Sequence, residues 1–193
     1  MAGDGKLGDL ALTAAAAISL GLGVLLLVPY AQPAAHTIAF AFDFRGVLWR
    51  PAHAVLLGHA AYDPSAVHVL ARGATPDGPL APSAFSCYPP LAIVAALPFA
   101  LLPLHVATAL FTVIMAGCAV LALRLVGVRD WRLLCLSAPW AAQGMQVGGL
   151  TPLLMLGAAA IWRWRDRPVV VGPVLAAVVA LKLFLWPIGI FLL

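Results

Sequence analysis

The sequence predicts an all-α, polytopic membrane protein, and three observations carry that prediction. Hydrophobic residues fill 64% of the 193 positions and charged residues only 9%, whereas soluble domains are nearer half apolar and a quarter charged. Mean hydropathy is +1.04. Residues 10–30 carry no charge, and such a run reaches roughly 31 Å as a helix, about one hydrocarbon thickness. The chain, 1–193, reads as a single transmembrane domain.

The first span is therefore 10–30. Lys6 precedes it, but the apolar run is too long for a signal-peptide core and no small-x-small cleavage site follows, so the span is retained. Residues 31–88 form a large loop outside the bilayer, ending in the Gly/Pro/Ser-rich "RGATPDGPLAPSAFSC". Next comes "YPPLAIVAALPFALLP", with prolines at 89, 90, 98 and 103. Residues 88–103 are too short to cross comfortably and read as an interfacial or re-entrant helix. Further spans are expected at 104–126, 133–147, 150–162 and 169–193.

Keeping 88–103 out of the crossing count puts Lys6, Arg124, Arg129, Arg132, Arg163, Arg165 and Arg167 on one face. Basic residues in short loops mark the cytoplasm. The expected protein is thus a multi-pass protein of the cell (inner or plasma) membrane with its N-terminus cytoplasmic. Histidines 36, 53, 59, 68 and 105 then lie on the outer face. The chain stops at "LWPIGIFLL", apolar to the last residue, which reads as the truncated front part of a longer protein.

Charge and cysteine usage exclude several functions. A net charge of +4 gathered in short loops is a topology signal and does not point to nucleic acid. Cys87, Cys118 and Cys135 form no disulfide framework. The first four histidines, spaced 17, 6 and 9 apart, place no two metal ligands on one helical turn. "GDGKLGD" lacks the full phosphate-loop pattern and any preceding strand.

The stretch "FDFRGVLWRPAHAVLLGHAAYDP" from Phe42 holds the densest chemistry. Positions 44, 47, 48, 51 and 55 are apolar at helical spacing, while Asp43, Gly46, Arg50 and His53 share the opposite stripe. A helix lying on the outer surface with its apolar face in lipid is expected, broken after Arg50 by Pro51. Asp43 then serves either as a base or as a solvated or helix-capping carboxylate. Lys182 falls deep in the last span, where a charge needs a cavity or a ligand. Gln143, Gln146, Gly144, Gly148, Gly149 and Thr151 form a polar break at the outer end of two spans, readable as a site or as small-residue helix packing.

In order, "FDFRGVLWRPAHAVLLGHAAYDP", "CYPPLAIVAALPFALLP", "MQVGGLTPLLMLG" and "RWRDRPVVVGPVLAAVVALKLFLWP" resemble glycosyltransferase family 87, of the GT-C superfamily. The resemblance covers most of residues 36–193. It implies a GT-C-like helix bundle with interfacial helices in the first outer loop. It also implies transfer of a mannose- or arabinose-like sugar from a polyprenyl-phosphate donor to an envelope lipid or glycan acceptor. Asp43 falls on the family's catalytic Asp. Tyr62, Tyr88 with Pro89 and Pro90, Gln146, Thr151 and Lys182 fall on its other elements, and Arg45, Arg50 and His53 join the substrate-binding set. One departure is Gly149, where many members carry Gln or Asn. No cofactor and no metal are implied, since Asp-Phe-Arg offers no paired carboxylate. Asp43 is expected to take the acceptor's proton, with inversion at the anomeric carbon and a guanidinium or ammonium on the leaving phosphate. The alternative from another class is half of a transporter or flippase for a lipid-linked or small polar substrate.

Overall fold

A computed structural model describes residues 3–31, 40–62 and 86–182, without the side chains of 3–7 and 28–31. His36, His68, most of the expected 31–88 loop and residues 183–193 of the last expected span lie outside the described residues. All regular structure among the described residues is helical. The elements are α1 (Gly3–Ala31), a π-helix (Asp43–Trp49) running into α2 (Arg50–Leu56), α3 (Pro90–Ala100), α4 (Leu104–Leu125), α5 (Trp131–Leu136), α6 (Ala138–Val147), α7 (Thr151–Arg163) and α8 (Pro168–Leu181).

Two stretches, Gly8–Leu27 and Leu104–Leu125, are helical, long and apolar enough to cross a membrane. Both are what unbroken runs of Leu, Val, Ala and Ile produce when no proline intervenes. α3 and α8 are apolar but shorter. At 1.5 Å per residue the 11 residues of α3 cover roughly 16 Å, half a bilayer core.

Where one span over 133–147 was expected, α5 and α6 meet at Ser137. The Ser137 amide and hydroxyl both donate to the Leu134 carbonyl, at 3.1 and 2.7 Å. Pro139 cannot offer an N–H to the preceding turn, so the helix ends and a new one starts with the proline in its first turn.

α1 packs on α5 and α6, α4 on α7, and α7 on α8. Small residues set two of these approaches. A side chain on Gly23 would press on Ala138, and one on Gly157 would overlap Val178. α4 leaves the π-helix and the chain returns through α5 and α6. α7 then leads away again and α8 brings Lys182 back. Arg132 sits at the end of the α5–α6 pair away from Asp43, since the pair begins beside Asp9 of α1 and ends with Gln146 at Leu26 and Ala41. There Arg132 bridges Asp130 at 2.8 Å and Asp9 of α1 at 2.9 Å, and its hydrogen bonds hold the Asp130 carboxyl below its usual range.

The apolar stripe of 44, 47 and 48 does not lie in lipid. Phe44 and Leu48 are fully buried inside the protein, against α3 and α4. The reason is complementary bulk. α3 offers Ala92, Ala96 and Ala100, and Phe44 fills the space between them and α4. It stacks on Phe111 with centroids 4.1 Å apart and meets Phe99 edge-on at 5.7 Å. Pro51 does not break the segment after Arg50; it sits in the first turn of α2, where its missing N–H costs little.

Candidate functional site

Residues 43–49 wind as a π-helix, a rare geometry that is frequent at functional sites. It is entered through Ala41, which holds a left-handed backbone (φ 56°) although it is not glycine and is fully buried. The Ala41 amide donates to the Gln146 carbonyl at 2.8 Å, docking the start of the π-helix on the corner between α6 and α7. Gly148 at that corner has φ 71°, and a Cβ there would come within 2.6 Å of Ala41 Cα. Only glycine allows the two backbones to meet so closely.

This docking carries Asp43 to the amino end of α7. Asp43 makes no cap for its own helix. The Tyr88 hydroxyl donates to Asp43 Oδ2 at 3.1 Å. Burial first, and the Asp43 charge second, raise the Tyr88 pKa, while the Leu150 amide beside it pulls the other way. Tyr88 is 4% exposed, so its ring is a fixed wall that aims one oxygen. Two hydroxyls hold its backbone: Tyr62 donates to the Tyr88 carbonyl at 2.9 Å, and the Tyr88 amide donates to Ser86 Oγ at 3.1 Å.

Lys182, at the end of α8, places its Nζ 5.3 Å from the Tyr88 ring centroid, within cation–π range. α8 stops there with Lys182 extended. Thr151 opens α7, which has no side-chain cap, so the positive end of its dipole faces the same corner. The π-helix, α3, α4, α7 and α8 line a partly open apolar cavity of about 160 Å³, touched by Phe44, Leu150 and Leu181. Each of these adjoins a corner residue in sequence (Asp43, Gly149 and Thr151, and Lys182).

Asp43, Tyr88, Thr151 and Lys182 are thus brought together, with Tyr62 one hydrogen bond behind. Arg45 and Arg50 are half-buried, on the π-helix and at the start of α2. The Gln146 side chain is directed elsewhere: its Nε2 donates to the Leu26 carbonyl of α1 at 2.6 Å. His53 Nδ1 lies 3.2 Å from the Ala100 carbonyl, and its ring stacks on Trp49 at 4.7 Å. Trp49 in turn donates to the Phe99 carbonyl at 3.0 Å. Both contacts serve carbonyls at the end of α3; that of Phe99 also accepts from the Leu102 amide at 3.0 Å. Among the described residues no group of three or more His, Cys, Asp or Glu is placed to hold a metal ion.

No family model matches the chain, and neither a curated protein nor a solved structure matches it. The resemblance to glycosyltransferase family 87 therefore rests on the sequence motifs alone.

Reading the sequence misses two participants: Ala41 sets the docking, and Trp49 latches α3. Of these, Trp49 alone carried a signal, being an indole four residues before a histidine on one helical face. Gly149, read as part of the polar break, faces the Asp43 carboxylate.

Proposed function

We propose that this chain is an integral-membrane glycosyltransferase, multi-pass and with its site at the outer interface. It moves a mannose- or arabinose-like sugar from a polyprenyl-phosphate donor to a lipid or glycan acceptor. The observation that supports it best is the Tyr88–Asp43 hydrogen bond at the amino end of α7. A carboxylate held in place by a buried phenol is oriented to receive a proton. Lys182 and the α7 dipole favour the developing charge on the leaving phosphate. The cavity is apolar, as the carrier chain requires. In this reading the acceptor hydroxyl attacks the anomeric carbon, its proton passes to Asp43, and the polyprenyl phosphate leaves with the bonding pair. Inversion follows.

Membranes expressing the full-length protein, wild type beside Asp43→Asn, test the reading with labelled polyprenyl-phosphate mannose and arabinose. Transfer by wild type that is lost in the variant at equal expression is expected. Equal transfer by both removes Asp43 as the base, and no transfer by either removes the reaction class.

A further inference from the structure

A Cβ built on Gly149 would have three nearest neighbours, and all three are oxygens: Asp43 Oδ2 at 3.5 Å, Tyr88 Oη at 3.7 Å and Thr151 Oγ1 at 3.8 Å. Such convergence is unusual for a glycine in a chain with so few polar residues. Elsewhere in the bundle the close neighbours are carbon or backbone, as at Gly157 beside Val178 and Gly148 beside Ala41. We propose that the gap in front of Gly149 is the seat of the acceptor's attacking hydroxyl, kept open because this position has no side chain. The proposal rests on the glycosyl-transfer reading above.

The chemistry of the three oxygens selects the guest. An ionised carboxylate only accepts, and the Tyr88 proton is already given to Asp43. Thr151 can either donate or accept. A group that donates to Asp43 while accepting from Thr151 satisfies the corner, and a hydroxyl does both. A phosphate or carboxylate would instead meet the Asp43 charge at close range. The corner is also open on the correct side. Tyr88 and Gly149 are buried, Asp43 is half-buried, and Thr151 is exposed, so a guest enters past Thr151 and stops at Gly149.

Gly149 is not required by the backbone. It is not among the described glycines with positive φ, which are Gly58, Gly127 and Gly148. The three contacts of an added methyl would be ordinary van der Waals distances. Gly149→Ala is therefore expected to fold and to fill the seat, while Gly23→Ala, pressing on Ala138 between α1 and α6, is expected to disturb the fold without touching the seat. In the step itself the seated hydroxyl oxygen bonds to the anomeric carbon. The bond from that carbon to the phosphate oxygen breaks, and the hydroxyl proton goes to Asp43.

The test measures a partition. Membranes expressing full-length wild type, Gly149→Ala or Gly23→Ala receive labelled polyprenyl-phosphate mannose and, in parallel, the arabinose donor. Sugar transferred to endogenous lipid or glycan is counted against free sugar released by water, and each thermal midpoint is recorded. A methyl in the seat excludes a bulky acceptor more than water, so Gly149→Ala should shift the ratio toward release by roughly tenfold or more, with an unchanged midpoint. Gly23→Ala should lower the midpoint and leave the ratio near wild type. An unchanged ratio in Gly149→Ala overturns the proposal and leaves the glycosyl-transfer reading standing. A fall in both products together with the midpoint also overturns it. Absence of wild-type transfer from either donor overturns both.

Discussion

The hydroxyl of Tyr88 reaches back 45 positions to donate to Asp43 Oδ2 at 3.1 Å, and that one bond joins α3's entrance to the π-helix. Hydrogen bonds to ionised groups contribute about 1.5–3 kcal/mol. Tyr88→Phe keeps the ring and removes the donor. It should lower the thermal midpoint by a few degrees and sugar transfer by roughly tenfold, with the apparent KM for donor little changed. Turnover at saturating donor, compared with wild type, checks this. A rise in KM alone would make Tyr88 a substrate contact and not a positioning residue.

The same bond has a defined pH range. Burial and the Asp43 charge raise the Tyr88 pKa above its ordinary value of about 10. A group whose folded pKa is raised contributes fully below its unfolded pKa, and the contribution fades as pH climbs through the folded value. The stability difference between wild type and Tyr88→Phe should thus stay flat from about pH 7 to 9 and shrink only above about pH 10. Thermal midpoints across that series would show it.

Gly148 and Ala41 meet backbone to backbone, so Gly148→Ala meets two penalties. Its φ of 71° costs a non-glycine residue about 1–2 kcal/mol, and its methyl would overlap Ala41. The expected loss is about 2 kcal/mol or more, read as a lowered midpoint. Gly149→Ala, one residue on, should lose far less.

Trp49 gives its indole N–H to the Phe99 carbonyl at 3.0 Å. Trp49→Phe retains the stack on His53 and leaves that carbonyl without the indole. A loss of about 1 kcal/mol is expected, measured by thermal denaturation in detergent. His53→Gln, which retains a donor, should be milder than His53→Leu.

Much of the helical framework is legible in the sequence because it depends on local properties. Uninterrupted apolar runs produce α1 and α4, and the prolines at 89, 90 and 103 bracket α3. The π-helix is not legible. Its apolar positions fit an ordinary amphipathic helix, and only packing of Phe44 on Phe111 and Phe99 shows that the face turns inward. The break at Ser137 escapes notice because Pro139 lies inside an otherwise apolar stretch. At the corner, Asp43, Tyr88, Thr151 and Lys182 are chemically conspicuous in a chain this apolar. The partners of His53 and Gln146 are not, because both are backbone carbonyls, which every residue carries. Gly149 shows in the sequence only as part of a polar break, because its role lies in the atoms it lacks.

The corner draws on four separated stretches of chain, the last of them at Lys182. While the protein is being synthesised, Asp43 emerges early and waits through every later helix before Tyr88, Thr151 and finally Lys182 arrive. A partly inserted chain therefore holds a carboxylate with neither its orienting phenol nor its counter-charge. In the glycosyl-transfer reading, the corner gains its full set of groups only once Lys182 has been made.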